Sequence, residues 1–467
     1  MANFFSLMHN EHTKIYKKLS TYIMIAILIA LTIVPAIIIK YVNNREYGDS
    51  WGDEQYLAHL EQIMKDASEE EKPYYESEIK VVKYNIENGI EEGSWKRDAV
   101  SDMFSTFKEI GGENQSADNE DFTKIEAFVK NDDWRGYLNH QKEGYEKIIK
   151  ESDGDSGYEL VVDIIDMRLK YDIRPGTDIK SWKSDVLFSY GNAANDKDWA
   201  QESLKDKTLI EEEREYFEEV LDSSNKDMAK YRYRLENDIK PVEENSQWGY
   251  MNEIIQFLAI NLIAVFIAII AGAIVAGEFG NGTIKLLLIR PHRRWKLLAS
   301  KYATLFVFTL EMLAIALVVS FVTGGIFFGF EGIPTFLRVS NGAVVEQSYL
   351  IRLLFETALN SVPLIITFTM AFMISTVFKS AGLSIGLSLF LLLTGPTVTM
   401  ILAELKFKPA KYLITANWNL VNYFMDDISL IPFKGMTLAF SVVNVLIYFI
   451  IANVISFTIF AKRDVAT

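Results

Sequence analysis

Gly277-Glu278-Phe279-Gly280-Asn281-Gly282-Thr283-Ile284-Lys285-Leu286-Leu287-Leu288-Ile289-Arg290-Pro291-His292-Arg293-Arg294-Trp295-Lys296-Leu297-Leu298-Ala299-Ser300-Lys301 lies between two long apolar runs. Six of its residues are basic (Lys285, Arg290, Arg293, Arg294, Lys296, Lys301), against the single acid Glu278. Excess Lys and Arg beside membrane segments marks the cytoplasmic side. A basic connector of this length therefore sets the direction of the two runs that flank it, and with them the topology of the chain.

The chain has 467 residues, 49% hydrophobic and 23% charged, and the apolar residues gather in six blocks at 21–41, 253–276, 302–328, 354–378, 381–402 and 438–460. Each is close to the roughly 20 residues that cross a hydrocarbon core at 1.5 Å per residue. A soluble core accommodates one buried helix of this length but not six. The expected fold class is all-α: a polytopic membrane protein with six transmembrane helices and a helical extracellular domain of repeated helical hairpins. The first block follows Lys14, Lys17 and Lys18 as a secretory signal would. It is longer than a usual signal core, however, and ends Ile37-Ile38-Ile39-Lys40-Tyr41 without small residues for cleavage, so it reads as an uncleaved first span.

Charge divides the chain in two. Residues 42–252 hold 51 Asp and Glu against 28 Lys and Arg, a net −23, and the remainder is +8. An acidic domain gives no support to nucleic-acid binding. Placing the amino-terminal lysines inside puts 42–252 outside, the connector 277–301 inside, 329–353 outside, the turn 379–380 inside, 403–437 outside and the tail 461–467 inside. Each inside segment carries net positive charge, although the spans were chosen by hydrophobicity alone. The expected location is a bacterial plasma membrane, with both termini cytoplasmic. In residues 1–20, Phe4, Phe5, Leu7, Met8, Ile15, Tyr16 and Leu19 alternate with polar residues at helical spacing. That pattern predicts an amphipathic helix on the inner leaflet, a frayed polar tail being the alternative.

Within the acidic domain, Trp51 to Ile90, Trp134 to Ile173 and Trp199 to Ile239 are similar in length, and each is followed by a tryptophan, at Trp95, Trp182 and Trp248. The candidate repeats are 51–95, 134–182 and 199–248. The octets beginning at Arg168 and Arg234 align as Arg-Leu-Lys-Tyr-Asp-Ile-Arg-Pro and Arg-Leu-Glu-Asn-Asp-Ile-Lys-Pro. Periods near 40 point to stacked helical hairpins; tryptophans spaced as core residues in an unrepeated helical domain are the alternative. The runs Glu69-Glu70-Glu71 and Glu211-Glu212-Glu213 read as solvated helix faces or first turns of helices.

Enzyme chemistry has little footing. The sequence has no cysteine, and five scattered histidines (His9, His12, His59, His140, His292) without a metal-site spacing. Gly277 to Thr283 starts like a phosphate loop, yet Thr283 stands where lysine is needed and the segment follows a membrane helix instead of a strand. No catalytic, cofactor or metal residue is assigned to the chain.

Several features come in a telling order: a basic amphipathic start, a domain after the first span, Glu278 and Gly282-Thr283 closing the second, then Leu287-Leu288-Ile289-Arg290-Pro291-His292-Arg293-Arg294, Lys301 and the ending Phe460-Ala461-Lys462-Arg463-Asp464. This order resembles the permease subunits of type-two ABC exporters, over both ends and all six spans. The resemblance implies a subunit that does not itself hydrolyse ATP. A separately encoded ABC ATP-binding subunit would carry ATP and magnesium, and a second permease copy or a sibling permease would complete the translocation path. It further implies that the 277–301 connector is a coupling helix docking on the ATPase, with Glu278, Gly282, Thr283, Arg290, Pro291, Arg293 and Arg294 as coupling residues. Glycines for a sharp turn, Thr283 as a cap for a helix over 284–289 and Pro291 as its stop suit that task. The basic residues suit acids on the partner or membrane lipid phosphates; a topology signal alone is the alternative. A different class also fits: a membrane sensor or antimicrobial-resistance module whose outer domain binds a ligand without translocating it.

Inside the spans charges are scarce. Glu311, about ten residues into the third, is an intramembrane polar candidate for gating or substrate contact, or a packing residue paired with Asn261, Asn360 or Asn444. Gly382, Gly386, Gly395 and Pro396 in the fifth span, with Pro363 in the fourth, suit close helix contacts or local breaks. Residues 403–437 are too apolar for an ordinary loop. There Trp418, Tyr423, Phe424 and Met425 predict short helices half sunk in the outer interface, or simple aromatic anchors.

Overall fold

The computed structural model describes residues 4–43, 52–69, 71–104, 119–152, 157–177, 180–280, 282–283, 293–424 and 430–462. Helices α1 (Phe4–Tyr16) and α2 (Leu19–Asn43) lead into α3 (Asp53–Asp66), α4 (Lys72–Glu87), α5 (Trp95–Phe104), α6 (Asn119–Asn131), α7 (Trp134–Glu151), α8 (Glu159–Tyr171), α9 (Trp182–Ser203) and α10 (Glu211–Asn237). After these come α11 (Gln247–Glu253), a π-helical turn (Ile254–Ala259), α12 (Ile260–Ile274) and α13 (Ala276–Gly280). The contacts separate two units: 1–45 with 242–336 and 346–467, and 46–241 with 337–345.

The first unit holds six helical stretches long and apolar enough to cross a membrane: Leu19–Tyr41, Gln247–Ile274, Arg294–Phe328, Tyr349–Val377, Ala381–Glu404 and Leu438–Lys462. They coincide with the six blocks read from hydropathy. The third begins several residues earlier than expected, so Arg294, Lys296 and Lys301 stand on its first turns and not in a loop. The second span sits centrally, with α12 packed on the fourth and fifth spans. Its buried face is broad and mixes small residues, Ala264, Ala268, Ala271 and Gly272, with Ile263, Phe266 and Ile267. Apolar contact in lipid gains little from the hydrophobic effect, so close approach of small residues has to supply the packing. At Gly272 an added Cβ would lie 3.0 Å from the Cα of Ile385 in the fifth span. Gly395 likewise faces Thr415 closely, whereas Gly382 and Gly386, expected at close contacts, have nothing within 4 Å.

The prolines act differently from one another. Pro363 stands in the first turn of Val362–Val377, just after a break at Ser361 that splits the fourth span from Tyr349–Asn360. Pro396 lies inside a fifth-span helix that continues to Glu404. At the level of the fourth-span break, Asn360 donates to Gln256 on the π-helical turn. The start of the second span is pinned by polar contacts. Gln247 is fully buried, donates to Phe321 O and accepts from the amide of Glu331, while Trp248 Nε1 donates to Gly332 O at 2.9 Å.

Two local readings change. The 329–353 segment carries a two-stranded hairpin, β1 (Thr335–Ser340) and β2 (Ala343–Ser348), turning at Asn341 and Gly342 with φ of 51° and 77°. Positive φ at both positions is what a tight two-residue hairpin turn requires. In 403–437 the expected short helices are present, at Lys408–Tyr412, Ile414–Asn417 and Leu420–Phe424. Trp418, however, is buried against Ile366 and Val445 of the fourth and sixth spans, and so is a packing residue and not an interfacial anchor. Tyr423 shares a hydrogen bond with Ser441 at 2.6 Å, Phe424 meets Phe355 edge-on, and Met425 is outside the described residues.

The second unit is helical and has a core in which Trp95 and Tyr137, both buried, lie 5.4 Å apart between ring centres, with Val100, Met103, Val129 and Trp134 around them. Helices α6, α8 and α10 end alike, on an aspartate of positive φ: Asp132, Asp172 and Asp238 at 54°, 58° and 54°. In each, the following amide returns to the carbonyl five residues back: Asp133 to Phe128, Ile173 to Arg168 and Ile239 to Arg234. This is the helix-ending geometry usually given to glycine, which aspartate tolerates better than most residues. The aligned octets are thus two copies of one helix end. The tryptophan anchors are unlike one another: Trp134 opens α7 and is buried, Trp199 lies late in α9 and is 51% exposed, and Trp51 is outside the described residues.

Gly272→Leu should destabilise the membrane unit by about 1–3 kcal/mol through overpacking against the Ile385 backbone. Gly386→Leu should be near neutral, with both compared by denaturation in mixed micelles.

Candidate functional site

The end of the second span is a built junction. The helix breaks at Val275 and restarts as α13, and the hydroxyl of Ser375, buried in the fourth span, accepts from the amides of Val275 (3.2 Å) and Ala276 (3.0 Å). An unpaired amide in a low-dielectric region costs several kcal/mol, so a break here requires such an acceptor. Glu278 projects from α13. Four residues beyond Glu278, Gly282 takes φ +69°, a left-handed turn that brings the Thr283 hydroxyl back to donate to the Glu278 carboxylate. Thr283 therefore closes a turn onto Glu278. The helix over 284–289 that it was expected to cap is outside the described residues, as are Arg290 and Pro291.

Against Glu278 stands Lys301, on the third span and 1% exposed. Its ammonium donates to Glu11 Oε2 at 2.5 Å and to Glu278 Oε1 at 3.2 Å. Lys14 donates to the same two carboxylates, at 2.8 Å to Glu11 and 3.1 Å to Glu278. Two acids and two bases alternate, so the cluster is neutral and each buried charge has partners of opposite sign, the condition under which buried ions are tolerated. Burial alone would raise the Glu278 carboxyl. The charge of Lys301, the Thr283 hydroxyl and Lys14 overcome it and bring it down to about 2. Burial likewise pulls on Lys14, but hydrogen bonding and charge from Glu11, then Glu278, leave it above its usual value.

The amino-terminal helix supplies half of this cluster. On α1 the buried stripe is Leu7, Glu11 and Ile15, at the i, i+4, i+8 spacing of one helix face. On the adjoining face of α1, His12 Nε2 donates to Glu311 at 2.8 Å and the Tyr16 hydroxyl donates to Glu311 Oε2 at 2.7 Å. Burial, then the Glu311 carboxylate, hold the Tyr16 hydroxyl above its usual value. Glu311 is therefore not partnered by the asparagines expected for it: Asn261 and Asn444 donate to carbonyls of their own helices and Asn360 to Gln256. The helix expected to lie on the leaflet is docked by ionic and apolar contacts onto the third span.

Of the residues singled out from sequence, Glu278, Gly282 and Thr283 form one turn, and Glu311 joins them through α1. Arg293 precedes the third span and is exposed. Arg294 opens that span and reaches the carbonyl of Ala461 near the end of the sixth, at 3.2 Å. Sequence reasoning missed Glu11, His12, Lys14, Tyr16 and the pairing of Lys301. A carboxylate in the middle of an apolar stripe was the readable sign of the first.

Six spans, the second of them central, with a neutral ionic cluster at one end, define a polytopic α-helical membrane protein. The chain belongs to the family described as "Protein of unknown function (DUF2705)", which matches residues 219–466 and so includes Glu278, Lys301 and Glu311. It is 39% identical over 271 residues to "Uncharacterized protein YhcI" of Bacillus subtilis (strain 168), covering 57% of this chain and 85% of that one. Over 204 residues it is 26% identical to "Uncharacterized membrane protein YdbK" of the same organism, covering 44% of this chain and 78% of that protein. No solved structure matches.

Lys301→Ala would leave the Glu11 and Glu278 carboxylates with only the half-exposed Lys14 between them, and should cost about 3–5 kcal/mol. Lys301→Met combined with Glu11→Gln should recover much of that loss, read as melting temperature in detergent. A carboxyl held near 2 instead of 4.5 contributes stability above about pH 4.5 and loses it as the pH falls toward 2. Over that window Glu278→Gln should flatten the acid limb of the melting curve; an unchanged limb would show that other acids set it.

Proposed function

We propose that this chain is the membrane-spanning permease subunit of an ATP-driven exporter, working as a dimer with itself or a sibling permease and with separately encoded ABC ATP-binding subunits. The observation that carries the reading is the junction at Glu278. The residue that opens the basic connector is bonded at once to α1 and to the third span, so force applied at the connector reaches three elements directly. In this reading the connector docks on the ATPase, which holds ATP and magnesium, and the ionic cluster passes its movement to the spans. Arg290, Arg293 and Arg294 supply positive charge to the partner or to lipid phosphates.

The orientation follows from charge: both termini, the connector and Lys379 inside, and the acidic helical unit outside. We take that unit to be built from hairpins that open on Trp95, Trp134 and Trp182 and end on Asp132, Asp172 and Asp238. This register is supported by the common helix ends and replaces the one anchored on Trp51 and Trp199.

A separately encoded ABC ATP-binding subunit from the same organism should co-purify with this chain, and reconstituted together they should show ATP-dependent flux. Glu278→Ala and Arg290→Ala should each reduce ATPase-subunit recovery or flux by roughly tenfold, about 1.4 kcal/mol of coupling. Undiminished binding and transport in both variants would sink the assignment of the connector. Ligand binding without any flux would instead indicate a sensor or resistance module.

A further inference from the structure

Helices α9 and α10 pack along one another as a long hairpin. The connection between them is ordered by its own polar groups. Thr208 donates through its amide and hydroxyl to Asp206, at 2.8 and 2.7 Å, and the Ile210 amide donates to Glu213 at 3.1 Å. Near this tip Trp199 meets Phe217 and Tyr216 edge-on, with ring centres 5.0 and 6.3 Å apart. These rings are not core. Trp199 is 51% exposed, Tyr216 53%, and Ile210 beside them 58%. Phe188, 71% exposed, precedes Trp199 by three helical turns and so shares its face of α9, about 16 Å away along the axis. A line of exposed aromatics on a helical hairpin is an uncommon use of such residues and marks an interaction surface.

The charge around that line is one-sided. Residues 196–222 contain 11 Asp and Glu and 4 Lys and Arg, and one of the bases, Lys205, is paired with Glu202. Asp196 and Glu202 stand one turn before and after Trp199, and Glu219 one turn after Tyr216, where helical neighbours at i±3 meet. Anionic lipid, nucleic acid and a second copy of this acidic hairpin are all repelled by such a surface. Lysine and arginine are attracted twice, by the carboxylates and by the faces of Trp199 and Tyr216. A small cation would leave the apolar rings and Ile210 uncovered.

We infer that the tip of the α9–α10 hairpin is a binding surface for a cationic amphipathic peptide. Its apolar side chains lie on Trp199, Tyr216 and Ile210, and its basic ones face Asp196 and Glu219. The inference goes beyond the exporter reading and needs no ATPase, so the two succeed or fail separately.

The test uses the full chain in phosphatidylcholine nanodiscs and a fluorescent synthetic peptide of lysine and leucine, with empty nanodiscs as baseline and a glutamate-and-leucine peptide as control. The lysine peptide should bind, more weakly as salt is raised, and the control should not. Trp199→Ala with Tyr216→Ala should weaken binding by roughly tenfold, and so should Asp196→Lys with Glu219→Lys. Melting temperature should stay at the wild-type value, because the substituted side chains are exposed. Equal affinity in wild type and both variants, or equal affinity for the two peptides, would overturn the proposal. So would phosphatidylglycerol vesicles binding to wild type but not to Trp199→Ala/Tyr216→Ala, which would assign the surface to a membrane.

Discussion

The ammonium of Lys301 is the constraint from which the membrane unit's arrangement follows. A lysine buried to this degree on a span is tolerable only if carboxylates meet it, because desolvating an unpaired ion costs several kcal/mol even after relaxation. One carboxylate, Glu278, requires that the second span end at the right height and bend there. The other, Glu11, requires that the amino-terminal helix lie against the third span with a charged residue turned inward. Lys14 then balances the pair, and the apolar residues at Leu7 and Ile15 follow Glu11 into the interface. Three segments far apart in sequence are fixed by one charge.

The spans were legible because their signal is local: each is a run of apolar residues of the length a bilayer demands, and the acidic unit between the first two stands out by charge. The partners of Glu311 were not legible. His12 lies 299 residues away, and the pairing leaves no periodic trace in the stretch around either residue. Reasoning from hydropathy supplied asparagines on other spans as partners because they were the polar groups visible at similar depth, whereas the actual partners arrive from a helix outside the spans. Trp418 misled in another way. Aromatic composition is the same for an interfacial anchor and for a packing residue, and only the neighbours Ile366 and Val445 tell them apart.

In other places the sequence held the information and the reading passed over it. Asn341-Gly342 is the dipeptide a tight hairpin turn asks for, and it sits between the short alternating runs of β1 and β2. The helix ends of the acidic unit were visible as aligned octets, whereas the tryptophans used to space the units are unlike one another: buried at positions 95 and 134, exposed at 199. The aspartates in left-handed backbone are the better markers, since few residues can stand there and each closes a helix in the same way.

The hydroxyl of Ser375 has a consequence for how the membrane unit can move. It stands in for two missing helical carbonyls at the break before α13, from a helix other than the one it completes. Any rotation of α13 relative to the fourth span has to give up both bonds in a place with no water to replace them. The second and fourth spans are therefore clamped into one lever at this level, and a change of shape has to find its hinge along the neighbouring contacts, where α1 and the third span are held by ion pairs that can exchange partners without leaving a charge bare.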